Sequence, residues 1–266
     1  MAQQGARFLR KEEVAGSNPV DSTMSNLLGD VSRILFPTYC LICGKETHGE
    51  LVCEECLREV KRTKGLRCVK CDLPLKSAPK DGMCKRCKRR KWSFSYNRSY
   101  GTYSGTLKKL LIELKYHDHP RLAVLFSSYL IKLIMDSDLN LNKSIITFVP
   151  LSNRAKRNRG YNQTYLMARE ISKRLGIPCY SVLKFRRQPL EQINLSEEER
   201  LENMKDIFTV DKNYIVDVIG KNVILIDDVF TTGATVEGCS RALKTYGAQR
   251  VCSFTVARSK WQGNKR

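Results

Sequence analysis

The sequence predicts an α/β protein, a parallel sheet with flanking helices, with a small cysteine-rich region on its N-terminal side. Three observations predict it. Short apolar runs alternate with amphipathic segments over the second half of the 266-residue chain, the pattern of strands covered by helices. Eight of the 11 cysteines fall between residues 40 and 87, in four C-x-x-C pairs. Hydrophobic residues make up 42% of the chain, enough to bury a core, which excludes global disorder.

Residues 1–23 do not read as a structured N-terminus, and residues 13–20 have neither helical nor strand periodicity. Their run EVAGSNPV, residues 13–20, resembles the translation of a transfer-RNA T-arm, so Met24 is the expected initiator. Leu27, Leu28, Val31, Ile34, Leu35 and Phe36 then recur at near-helical spacing and predict a short amphipathic helix over residues 24–37. That helix and the cysteine region form one expected unit, residues 24–94, and residues 95–266 form the α/β domain. Within it, strands are predicted at 95–103, 145–150, 223–226 and 250–257. Helices are predicted at 107–116, 121–135, 165–175 and 237–246, the third stopped by Gly176 and Pro178 and the last by Gly247. No apolar run reaches the roughly 18–20 residues of a membrane span. The N-terminus lacks the apolar stretch of a signal peptide, so a cytoplasmic protein is expected.

The cysteine pairs are Cys40/Cys43, Cys53/Cys56, Cys68/Cys71 and Cys84/Cys87. In a cytosolic chain such pairs argue for metal before disulfides. A C-x-x-C turn points two thiolates at one ion, and two turns complete a tetrahedral zinc site with no position open to water. The zinc is therefore expected to be structural, and its binding to supply much of this small region's folding free energy. Spacers of nine, eleven and twelve residues leave both sequential and interleaved pairing open. Cys179, Cys239 and Cys252 lie in predicted core elements and read as small hydrophobes.

Net charge is +20, from 47 basic and 27 acidic residues, which favours polyanionic partners. Residues 61–91 carry 13 Lys or Arg against Asp72 and Asp81, and Trp92, Phe94 and Tyr96 follow at alternate positions. Charge that tracks phosphates beside rings that stack on bases suits single-stranded nucleic acid. The same residues read equally as a solvated face beside a core strand whose rings share one side.

The strongest motif is VILIDDVFTTGAT, residues 223–235. Four aliphatics form a buried strand that delivers Asp227 and Asp228 at its C-terminal end. A Thr-Thr-Gly-Ala-Thr turn then enters a helix, where backbone N–H groups and hydroxyls make a nest for a monophosphate. Adjacent carboxylates can take ribose hydroxyls and help hold magnesium. The motif resembles the signature loop of type I phosphoribosyltransferases, whose fold is a parallel sheet with flanking helices. That resemblance implies that Asp227 and Asp228 meet the ribose of 5-phosphoribosyl-1-pyrophosphate (PRPP). It also implies that Thr231, Thr232, Gly233, Ala234 and Thr235 cradle the 5-phosphate, and that magnesium accompanies the pyrophosphate.

A second segment, residues 151–163, reads as a charged loop between a strand end and a helix start, where α/β sheets bind ligands. Arg154, Arg157 and Arg159 there can neutralise a diphosphate, and Gly160 allows close backbone approach. It resembles the R-x-x-x-R-G-[FY]-N-Q pattern of the ComF family, with Arg159, Gly160, Tyr161, Asn162 and Gln163 in register. Residues 187–208 resemble a further family pattern, to which Leu195, Ser196, Arg200 and Asn203 fit. Type I enzymes close a flexible loop over PRPP here, while Ser196 and Glu199 read equally as a capping box. Lys115-Tyr116 with Leu122-Ala123 is similar to the family's K-Y-x-G-x-x-x-L-A, the glycine being replaced by His119 or lost.

The resemblance runs from Tyr39 to the C-terminus. It implies a role in natural transformation, with single-stranded DNA and other competence proteins as partners. Two readings stand. One is a phosphoribosyltransferase that displaces pyrophosphate from PRPP toward an acceptor for which the sequence shows no signature. The other is a DNA-binding competence factor that uses PRPP as a regulatory ligand. A weaker third is a zinc-ribbon adaptor on a degenerate fold.

Overall fold

The computed structural model describes residues 38–187, 199, 204 and 206–260. The expected start at Met24, the helix over 24–37, and residues 188–198, 200–203 and 205 of the third family segment, Arg200 among them, lie outside the described residues.

The chain opens with a two-residue hairpin, β1 (Thr38–Tyr39) and β2 (Glu46–Thr47), followed by the short helices α1 (Glu54–Glu59) and α2 (Lys85–Lys88). The main sheet has four strands, β3 (Tyr96–Thr102), β4 (Ser144–Phe148), β7 (Asn222–Phe230) and β8 (Arg250–Arg258), in the order β3-β8-β7-β4. All its pairings are parallel. A smaller antiparallel pair, β5 (Leu183–Phe185) with β6 (Phe208–Val210), stands beside it.

Helices cover both faces, which is why β7 opens with an unbroken apolar run, Val223 to Ile226, rather than an alternating one. In β7, Ile224 and Ile226 face one half of the core, with α3 (Gly105–Tyr116), α4 (Leu122–Met135) and α6 (Gln163–Leu175). Val223 and Leu225 face the other, with α7 (Ile215–Val218) and α8 (Ala234–Thr245). Strand β7 runs beyond its apolar stretch, through Asp227 and Asp228 to Phe230, because β8 extends to Arg258 and offers ladder partners that far.

The cysteine region straddles the sheet. Cys40 and Cys56 belong to the core half under α3 and α4, and Cys68, Cys71, Cys84 and Cys87 to the half under α8. Between them the chain lies along the outer edge of β3. Asn97 N donates to Lys70 O at 2.8 Å, and Thr63 N to Tyr100 O at 2.9 Å. Ser99 N donates to Asp72 Oδ2 at 2.6 Å, and Arg67 both donates to Ser99 O at 3.0 Å and pairs with Asp72 at 2.6 Å. An edge that would otherwise be free to pair with another chain is thereby closed.

Two expectations change here. Trp92, Phe94 and Tyr96 do not share one sheet face, because the chain bends at 93–95 and β3 begins only at Tyr96. Phe94 meets Phe230 edge-on at 5.9 Å under α8, whereas Tyr96 meets Phe254 at 6.1 Å on the opposite side. Phe94 and Tyr96 are buried and Trp92 half-buried, so the three form no exposed platform for bases. Residues 151–163 are not an open loop. They contain the helix α5 (Asn153–Arg159), capped by Ser152, which accepts from Ala155 N, and ended by Gly160 at φ +70°.

Candidate functional site

A cavity of about 690 Å³ opens where β4 and β7 end, the crevice position expected in a parallel sheet. Of the residues singled out in the sequence, Lys115, Arg154, Arg157, Arg159, Asn162, Gln163, Asp227, Asp228 and Thr235 line it. Gly160, Thr231, Thr232, Gly233 and Ala234 are not among its lining residues. Gly160 ends α5 with a left-handed backbone, and a Cβ there would meet nothing within 4 Å.

The acidic pair is buried and unequal. Asp227 is 8% and Asp228 7% exposed. Asp228 accepts from Lys115 Nζ and from Gln163 Nε2, both at 2.6 Å, while Asp227 accepts from the Asp228 backbone N–H at 2.8 Å. Burial pushes the Asp227 carboxyl up to about 8, and the neighbouring Asp228 charge pushes the same way. Burial also opposes ionisation of Asp228, but the Lys115 ammonium and the Gln163 amide prevail and hold it below the usual carboxylate range. Lys115 is half-buried; burial works against its charge, but Asp228 prevails and holds it protonated, above its ordinary value. The site thus offers one neutral carboxyl beside one charged carboxylate.

Local structure fixes these groups. Asn162 caps α6, accepting from Thr164 N at 3.0 Å and donating to Val149 O at 3.2 Å, which ties Gln163 to the end of β4. Tyr161 donates to Leu114 O, fastening the last turn of α3 beside Lys115. Arg159 donates to Tyr116 Oη at 3.3 Å and lies over its ring. The left-handed residue of the turn after α3 is Asp118, at φ 55°, and not His119. Asp118 is the fourth residue of the K-Y-x-G register and, with Asn, among the residues that best tolerate this conformation in place of glycine.

The 231–235 turn follows β7 directly. Gly233 stands at φ +81°, and a Cβ there would come within 2.5 Å of the Phe230 ring. Both facts restrict the position to glycine. Thr232 Oγ1 accepts from Ala234 N at 3.3 Å and holds the entry to α8.

The cysteines pair sequentially. Cys40, Cys43, Cys53 and Cys56 form one set and Cys68, Cys71, Cys84 and Cys87 another, each with its sulfurs within 4.8 Å of one another. Cys43 and Cys53 stand 3.7 Å apart and Cys71 and Cys84 3.8 Å. A tetrahedron with Zn–S bonds of about 2.3 Å has edges of about 3.8 Å, so both sets fit zinc. Backbone N–H groups of Cys53 and Cys84 donate to Cys40 and Cys68 sulfur, at 3.4 and 3.3 Å. Cys239 and Cys252 are core residues, their thiols pushed up by burial, and Cys179 is half-buried.

Sequence reading missed the apolar wall of the cavity. Phe185 and Phe208, with ring centres 5.0 Å apart across the β5–β6 pair, line it together with Met204. The alternation in the three-residue strands was too short to register. It also missed that Arg67, Lys70 and Arg86 of the basic stretch turn inward, whereas Lys61, Lys64, Lys85, Lys88, Arg89 and Lys91 are exposed.

Residues 31–88 match the double zinc ribbon domain, and residues 115–265 match the phosphoribosyl transferase domain. Competence protein ComFC of Bacillus subtilis (strain 168) is 30% identical over 221 residues, covering 79% of this chain and 85% of its own. DNA utilization protein YhgH of Salmonella typhimurium is 28% identical over 213 residues, 78% of this chain and 90% of its own. Competence protein F of Haemophilus influenzae is 27% identical over 225 residues, 78% of this chain and 96% of its own. Similarity that spans almost the whole of these relatives, with the phosphoribosyl transferase match over residues 115–265, makes this chain a member of the ComF family.

Proposed function

We propose that the chain is a PRPP-binding protein of DNA uptake, taking PRPP with magnesium in the cavity above Asp227 and Asp228. The observation that carries this reading is a single one. One cavity collects the acid pair, the cationic Arg154, Arg157 and Arg159, and Thr235 at the start of α8. Asp227 and Asp228 take the ribose 2- and 3-hydroxyls, the neutral carboxyl able to donate and the charged one to accept. Thr231, Thr232, Gly233, Ala234 and Thr235 take the 5-phosphate, with Asn162 shaping the opposite rim. The arginines face the pyrophosphate. Magnesium, when bound with PRPP, neutralises the pyrophosphate as a leaving group. In a transfer reaction the bond from ribose C1 to the pyrophosphate oxygen breaks, the pyrophosphate leaves with that electron pair, and the acceptor forms the new bond to C1. Asp228 offsets positive charge developing on the ribose.

Single-stranded DNA is the second partner, drawn by the net charge of +20 and the exposed basic side chains of the second ribbon. The relatives' names specify competence and DNA utilization rather than a transferase. That favours a second reading, a non-catalytic competence factor with PRPP as its regulatory ligand. Calorimetric titration of the zinc-loaded protein with PRPP, with and without magnesium and then with single-stranded DNA, tests the first statement. Magnesium-dependent binding is expected, and its absence under every condition would refute the site. Release of pyrophosphate with any base or nucleic acid marks the enzyme; binding without turnover marks the factor.

A further inference from the structure

Three successive backbone carbonyls at the entry to the 231–235 turn are held by guanidinium groups. Arg258 Nη1 donates to Phe230 O at 3.0 Å and to Thr231 O at 2.6 Å, and Arg86 Nη2 donates to Thr232 O. Both arginines are buried, at 2% and 9% exposure. Because a trans peptide sets its N–H opposite its C=O, carbonyls fixed on the arginines send the N–H groups of Thr231, Thr232 and Gly233 the other way. Aligned N–H groups are the working part of an anion nest.

The far ends of both arginines lead to the second cysteine set. Arg258 Nη2 lies 3.7 Å from Cys71 Sγ. Arg86 sits in α2 between Cys84 and Cys87, and its guanidinium lies 5.4 Å from the centre of the Trp92 ring. Next along the chain, Ser93 donates from both N and Oγ to Glu237 in the first turn of α8, each at 2.8 Å. The first cysteine set is in the other half of the core, across the sheet. Electrostatics adds to geometry. Four thiolates outweigh a divalent cation, so a filled set is net negative beside a buried guanidinium.

We propose that Arg86 and Arg258 are positioning residues that aim the 231–235 turn, and that filling of the second cysteine set, rather than the first, governs its affinity for a phosphorylated ligand. The affinity half of this rests on the turn being the phosphate cradle. The test uses the full chain and three readouts: bound zinc, amide exchange of residues 231–235, and titration with PRPP and magnesium. Arg258→Met and Arg86→Met are expected to speed exchange in the turn and weaken PRPP binding roughly tenfold or more at unchanged zinc content. Arg258→Lys, which keeps the charge without the fork, is expected to recover part of both. Cys71→Ser should reproduce the arginine phenotype and Cys43→Ser should not. Wild-type exchange in both arginine variants, or equal effects of Cys43→Ser and Cys71→Ser, would overturn the proposal. Should the wild-type chain bind no PRPP, the cradle reading falls, while exchange in the turn still decides whether the arginines and the second set hold it.

Discussion

Asp227 and Asp228 are adjacent in sequence and opposite in electrostatic fate, and the difference is testable without any ligand. The folded Asp227 carboxyl titrates near 8, above the roughly 3.9 of an unfolded aspartate. Between those values the folded state holds a proton that the unfolded state has released. Its contribution is therefore fully present below about pH 4 and is lost as pH rises through about 8. Asp227→Asn, isosteric and always neutral, should flatten this part of the stability profile and be more stable than wild type at pH 8. Urea midpoints taken from pH 5 to 9 check it, and parallel wild-type and mutant curves would contradict it. The same substitution combined with Asp228→Asn should abolish PRPP binding with magnesium while the fold persists, read by calorimetry and circular dichroism. Lys115→Met acts the other way, since it strands the Asp228 charge in the interior. It should cost about 3 kcal/mol, measured by denaturant unfolding at neutral pH.

Elements explain why part of this was legible in the sequence and part was not. The apolar run that opens β7 announces itself, because a strand covered on both faces needs apolar residues at successive positions. The Asp-Asp and Thr-Thr-Gly-Ala-Thr chemistry is contiguous and so is visible locally. Lys115 was singled out only through a family pattern, and its partner Asp228 lies 113 residues away. Helix α5 was hidden because NRAKRNR has no apolar face, and its ends are made by Ser152 and Gly160 instead. Cysteine spacing could not choose between pairings, and packing on opposite faces of the sheet does. Arg86 and Arg258 were concealed by their own kind, two inward-turned residues in a chain with 47 basic ones. The element that follows from Gly233 makes its own prediction. Gly233→Ala meets both a left-handed backbone and the Phe230 ring, so it should destabilise the protein by more than about 1 kcal/mol, seen as a lowered thermal midpoint. Zinc analysis should return two ions per chain, one for each cysteine set. Chelation should expose the outer edge of β3 and bring aggregation, followed by light scattering.

At the scale of the whole molecule, charge and strand order set behaviour that no single residue does. With a net charge of +20, affinity for single-stranded DNA should fall steeply with salt, by a slope of about 0.7 for each phosphate neutralised. Replacing the exposed Lys85, Arg89 and Lys91 by glutamate should weaken binding evenly across sequences and lower that slope, measured by fluorescence anisotropy at several salt concentrations. A slope unmoved by these changes would place the DNA surface elsewhere. The order β3-β8-β7-β4 carries a last consequence, one of timing. Translation makes β8 after every other strand, yet β8 lies between β3 and β7. While residues 250–258 are still inside the ribosome, the ribbons with β3 and the pair β4-β7 are two pieces with no strand between them. Arg258, at the end of β8, is also the residue that holds the carbonyls of Phe230 and Thr231. A nascent chain therefore acquires its joined sheet and its oriented turn in the same step, when synthesis of the final strand is complete. A chain broken off before Arg250 is left with two open strand edges, the kind of surface that proteases and chaperones act upon.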